Sequence, residues 1–169
     1  MSAMHSNTLS ALEAFPRALE QHYAAFPAQF VHWAPASWAG VPSEPFTAIE
    51  QICHVRDIEI EGYQLRFQRT LREHSPLLPS IDSEAVAKTR NYGNADSAIV
   101  FAEFRAARMK TLSLLRSLED SQFARPAVFE GYGPVTLRGL THYLCSHDQQ
   151  HLSGLQWLLG KIEAVGRHA

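Results

Sequence analysis

Between Thr136 and Val165 the apolar residues keep to one side of a helix. At about 100° per residue, with Leu140 as origin, Leu137, Leu144, Leu155, Leu158, Ile162 and Val165 fall within about 60° of it. A stripe of this kind faces a core, so the segment has to be packed against other elements. Gly131-Tyr-Gly-Pro134 reads as a turn leading into it, and Thr136 as its N-cap.

Three more segments carry helical signals. The first runs from about Thr8 to Phe26, with Leu9, Leu12, Phe15, Leu19 and Tyr23 at helical spacing. Pro16 lies inside it and should kink it or mark a later start. The second runs from about Phe46 to Glu73 and opens with the capping box Thr47-Ala-Ile-Glu50. The third spans about Asp96 to Leu118, its stripe drawn from Phe101, Phe104, Met109, Leu112, Leu115 and Leu118. Residues 27–45 hold four of the nine prolines together with Trp33 and Trp38, and residues 74–95 form a long crossover with Pro76 and Pro79. Neither connection alternates as a strand would, and Val128-Phe129 is at most a short extended piece. Four long helices with two long connections argue an all-α four-helix bundle.

Composition narrows the function classes. At 169 residues, one domain over 1–169 is expected. Fifteen Lys+Arg against seventeen Asp+Glu give a net charge of −2, which lacks the basic footprint of a nucleic-acid or anionic-membrane binder. No apolar run approaches the roughly 20 residues of a membrane span. Met1 to Ser10 shows no signal peptide, and two cysteines make no disulfide framework, so a cytoplasmic protein is expected. Cys53 and Cys145 read as small core residues rather than nucleophiles. The nine histidines are the excess.

Two of them are placed. On the Thr136–Val165 wheel His147 falls at about −20° and His151 at about +20°, in the middle of the apolar stripe. Such an i, i+4 pair can bring both imidazoles to one point. Buried unpaired, each ring leaves a donor and an acceptor unsatisfied, and a divalent metal resolves both acceptors. A third ligand is required, and spacing leaves it open among His22, His32, His54, His74, His142 and the cysteines. His142 projects opposite the pair, as a surface residue would, and His74 suits a helix end. His54 lies about 130° from the centre of the stripe led by Ile49, Cys53, Ile60, Tyr63 and Phe67, on a flank shared with Ile58 and Leu65, so periodicity does not send it to the core.

Phe46-Thr-Ala-Ile-Glu-Gln-Ile-Cys-His54 followed by Asp57 resembles the "WSxxExLxHLxD" segment of the DinB-like metal-binding superfamily. Tyr132-Gly-Pro-Val-Thr-Leu137 with His147-Asp148-Gln-Gln-His151 resembles its "YGPVTLxxLLxHxxxHDxxH" signature, and Trp33 and Pro35 stand where the family often has Trp-x-Pro. The likeness covers roughly residues 8 to 163. It implies an up-down-down-up bundle with one divalent metal per chain held by His54, His147 and His151. Three departures stand out. Phe46 replaces a frequent Trp, Gln150 replaces a frequent His, and Gly154 replaces a frequent Gln, which removes polar support and predicts a larger pocket.

Three neutral imidazoles leave an open coordination position, the arrangement of catalytic zinc, and nitrogen donors do not choose between zinc and nickel. Asp57 and Asp148 are candidates to support the imidazoles, and Arg105 and Arg108 to clamp a carboxylate-bearing ligand. Characterised relatives include thiol S-transferases and isomerases. The resemblance therefore implies a metal-dependent enzyme acting on a small molecule with a low-molecular-weight thiol. The alternative is a non-catalytic, stress-associated metal-binding or dimerisation module. A homodimer is expected from helices apolar on several sides.

Overall fold

The computed structural model describes residues 3–166, with side chains from 6 to 165. Apart from two 3₁₀ turns (Ala28–Phe30 and Tyr92–Asn94), the elements in chain order are α1 (Ala3–Ala24), α2 (Ala48–Asp57), a π-helical segment (Ile58–Tyr63), α3 (Gln64–Arg72), β1 (Leu77–Leu78), α4 (Ser83–Thr89), α5 (Ser97–Ser117), α6 (Asp120–Phe123), β2 (Pro126–Phe129), β3 (Gly133–Thr136) and α7 (Leu137–Gly166). Four rods make the bundle: α1, the continuous rod from α2 to α3, α5, and α7.

Side-chain pairings between rods fix their directions. Glu13 meets Arg116 and Glu20 meets Arg105, so α1 and α5 are antiparallel. Thr8 meets His142 and His22 meets Gln156, so α1 and α7 are parallel. Arg56 bonds Glu103 while Gln64 reaches Ala107 and Thr111, which makes the α2–α3 rod parallel to α5. The order is up-down-down-up, and the parallel pair is joined by the crossover through β1 and α4.

Local chemistry starts three of these rods close to where the sequence places them. Glu50 accepts from the Thr47 N–H at 2.8 Å, closing the capping box. Asp96 accepts from Ala98 N at 2.8 Å, and Thr136 Oγ1 accepts from Gly139 N at 3.1 Å. α1 starts well before Pro16 and runs through it, so the later start expected from that proline does not occur. Pro16 has no N–H to give the carbonyl of Leu12 four residues earlier. That carbonyl instead accepts from Arg108 Nη1 of α5 at 2.9 Å.

Among the described residues, a three-stranded sheet in the order β1-β2-β3 adds to the helices. β1 pairs with β2 in parallel, Leu77 opposite Val128, and β2 with β3 antiparallel. The Gly131-Tyr-Gly-Pro134 turn is thus a hairpin whose second strand leads straight into α7, with positive φ at Gly131 and Gly133. Strands of two to four residues are too short for alternation to be visible.

The core divides in two. One apolar cluster gathers Phe15, Leu19, Ile52, Phe104, Leu155 and Leu158; the other gathers Leu12, Phe67, Leu115, Phe129, Leu140 and Leu144. Between them three of the rods place polar side chains in the interior: Arg108, Glu59, Asp148, His54 and His151 form a buried belt. Three stripe residues face outward instead of inward: Ile60, Val165 and, 72% exposed, Met109. For Ile60 the cause is the π-helical segment, whose wider turns break the 100° progression on which the wheel depends.

Candidate metal centre

His147 and His151 come from the middle of α7, and His54 from α2 on the antiparallel rod opposite. α2 is buried almost all round because the proline-rich connection and the crossover pack over it. Trp38, Phe46, Ala87 and Tyr92 join the same cluster as Ile52 and Cys53. That, rather than a stripe, is why His54 is buried.

The three Nε2 atoms converge. His147 Nε2 lies 3.1 Å from His54 Nε2 and 3.1 Å from His151 Nε2, and one donor atom from each ring lies within 4.8 Å of the others. Nitrogens on a tetrahedral ion with bonds of about 2.0–2.1 Å would be roughly 3.3 Å apart. The donor set therefore fits a divalent cation. One proton on His147 Nε2 could serve only one of its two neighbouring nitrogens, whereas one cation serves all three.

Gln51 fixes the tautomer of His151. Its Nε2 donates to Ser43 Oγ at 2.8 Å and to the Phe46 carbonyl at 3.2 Å, so its Oε1 faces the ring and accepts from His151 Nδ1. That leaves His151 Nε2 directed at the other two histidines with its lone pair free. Burial, followed by the charge of neighbouring His151, lowers the His54 pKa to about 3. Burial likewise holds His147 well below the ordinary range. Both are neutral near pH 7, the form a metal requires.

Glu44, in the proline-rich connection, brings Oε2 within 3.3 Å of His151 Nε2 and Oε1 within 3.6 Å of His54 Nε2. Burial works to raise its carboxyl, but the contact with His151 and the histidine charges outweigh it and hold the pKa at about 2. A carboxylate this close to bare ring nitrogens calls for a positive charge between them, either a proton or an ion. A cavity of about 120 Å³ opens beside His54 and His147, walled by Glu44, Tyr63, Arg66 and Phe129.

The other sequence-level candidates lie elsewhere. Asp57 bonds Arg56, Arg90 and Tyr92, at 2.8, 2.7 and 2.6 Å, and fastens the crossover to α2. Asp148 accepts from Arg108 at 2.7 and 3.0 Å, and Glu59 takes the same guanidinium from the other side. Neither aspartate is hydrogen-bonded to a histidine. Arg108 is an internal tie with its donors spent, not a clamp open to a ligand, and Arg105 pairs with Glu20 on the surface. Gly154 does not enlarge the pocket: a Cβ there would collide with Ser43 Oγ and lie 3.0 Å from Gln51 Nε2. Gln51 supplies from α2 the polar support that position 154 lacks. His142 is half-buried on Thr8 rather than free at the surface, and His22 bonds Ala18 and Gln156. His32 and His74 are exposed; His168 and the side chain of His5 lie outside the described residues. Burial pushes the Cys53 thiol up to about 12, as suits a core residue.

Glu44, Gln51, Glu59 and Arg66 were not visible as site residues in the sequence. The one signal for Gln51 is a polar side chain in a segment that is otherwise apolar on several sides.

No curated protein matches the sequence. Among solved structures, YfiT from Bacillus subtilis, described as a probable metal-dependent hydrolase with an unusual four-helix bundle topology, is similar with a TM-score of 0.83 and 21% identity, over 96% of this chain and 90% of that one. That likeness is one of fold. The sequence model of the DinB superfamily matches residues 11–154, a span that holds all three converging histidines. The chain belongs to the DinB superfamily.

Proposed function

We propose that this protein is a metal-dependent enzyme acting on a small molecule, with His54, His147 and His151 holding one divalent ion, zinc or nickel. The observation that carries the reading is the convergence of three Nε2 atoms at a point bordered by a cavity. A bound ion there supplies Lewis acidity, which makes a thiol or a water a stronger nucleophile near neutral pH. The chain's own part is to aim the donors. Gln51 holds the His151 ring, and antiparallel packing of α2 on α7 brings His54 to the pair. Within this class we favour thiol-dependent S-transfer, with a low-molecular-weight thiol as co-substrate. Hydrolysis, the chemistry attributed to YfiT, would use the same centre.

The position of Glu44 supports a second reading, a non-catalytic metal-binding module in which that carboxylate closes the fourth coordination position. Elemental analysis separates these readings from a metal-free one: about one zinc or nickel per chain is expected, lost for the most part in His151→Ala, and full retention in that variant defeats the assignment. Glu44→Gln separates the two metal readings. Unchanged metal affinity with thiol binding retained supports the open site, and a large loss of affinity supports the closed one.

A further inference from the structure

We propose that the substrate of this site carries a carboxylate and that Arg66 binds it. The inference rests on the three-histidine reading for the other end of the substrate. Arg66 is 5% exposed and lies in the wall of the cavity that borders His54 and His147. Its Nη2 donates to the Pro79 carbonyl at 3.2 Å, its Nε has no hydrogen-bond partner, and no carboxylate among the described residues forms an ion pair with it. Its guanidinium carbon lies 4.4 Å from the ring centroid of Phe129 and 5.0 Å from that of Tyr63.

The same fold shows what a structural buried arginine looks like. Arg108, 1% exposed, makes five hydrogen bonds, four of them to the carboxylates of Glu59 and Asp148. Burying a guanidinium without such partners is costly. The chain nonetheless makes room for it. Gly62 stands one turn earlier in the rod, where a Cβ would lie 3.0 Å from Arg66 Nη1. The rings of Phe129 and Tyr63 lie against the guanidinium, and a carboxylate is the planar anion that suits guanidinium donors left without a partner. At about 120 Å³ the cavity is well below the several hundred Å³ of a drug-sized site, so the anion belongs to a small molecule or to one end of a larger one.

The test uses the full chain loaded with cobalt, whose absorption reports thiolate binding. Mercaptoacetate and 3-mercaptopropionate are compared with 2-mercaptoethanol, which offers the same thiol without the carboxylate. At least one of the two acids should bind roughly ten- to a hundredfold more tightly than the alcohol. That preference should fall to near one in Arg66→Met and in Arg66→Gln at unchanged metal content, with Arg66→Lys in between. A preference near one in the wild type, or one that survives both neutral variants, overturns the proposal. Arg66→Lys keeps the test open if the neutral variants fail to fold. If the wild type holds no cobalt, the metal reading fails on its own. The carboxylate is then tested in the metal-free protein by the rise in Tm with propanoate over propan-1-ol: a rise lost in Arg66→Gln supports the proposal, and no rise defeats it.

Discussion

At the scale of single residues, the centre is built as much by Gln51 as by the histidines. Its amide is locked by acceptors on one side, which determines which nitrogen of His151 keeps a free lone pair. Gln51→Leu should leave the fold intact and lower metal affinity by about ten- to a hundredfold, measured by competition with a chelating dye. Arg108 makes the opposite case. Arg108→Met strands Glu59 and Asp148 in the interior and should cost about 3–5 kcal/mol in urea unfolding. Arg105→Ala, at the surface, should shift stability by about 0.5 kcal/mol or less. In the sequence these two arginines stand as equal candidates for one ligand clamp. Nothing in either residue's spacing announces the two acids that wait for one of them on other rods. His147 and His151 were legible because they sit inside a long, regular stripe. His54 was legible only through the family motif, since its helix is buried on nearly every side and a π-helical stretch follows it.

At the scale of elements, the four rods were readable because each has enough turns for a period to show, and α2, α5 and α7 also carry a cap at their start. The sheet was not, since β1 has two residues and finds its partner some fifty positions later, a pairing no local pattern encodes. The loop bearing Ser43 and Glu44 was equally silent about its role. It is seated against α7 at Gly154, where the absence of a side chain admits Ser43 and the Gln51 amide. Gly154→Gln, although it restores a residue frequent in the family, should push this loop off the helix. Both Tm and metal affinity should fall, and a variant that binds metal as the wild type does would contradict that packing.

For the molecule as a whole, buried neutral histidines tie stability to pH. In the unfolded chain His54 takes a proton as pH falls below about 6.5, whereas in the folded protein it resists until about 3. The unfolded state therefore binds more protons across that window, and the metal-free protein should lose stability steadily as pH drops from about 6.5 to 3, read as a falling denaturation midpoint. Loaded with metal at a hundred times its dissociation constant, the protein should gain about 2.7 kcal/mol, removable by a chelator. Among the described residues no helix is long and apolar enough to cross a membrane.

Pro16 carries a consequence for the order in which the chain assembles. α1 spans a proline and cannot by itself satisfy the carbonyl of Leu12; the missing donor arrives only with Arg108 from a rod that is synthesised some ninety residues later. The amino-terminal helix is thus incomplete until α5 docks. In folding kinetics, substitutions along α1 should speed unfolding far more than they slow folding, while those in α5 divide their effect between both rates.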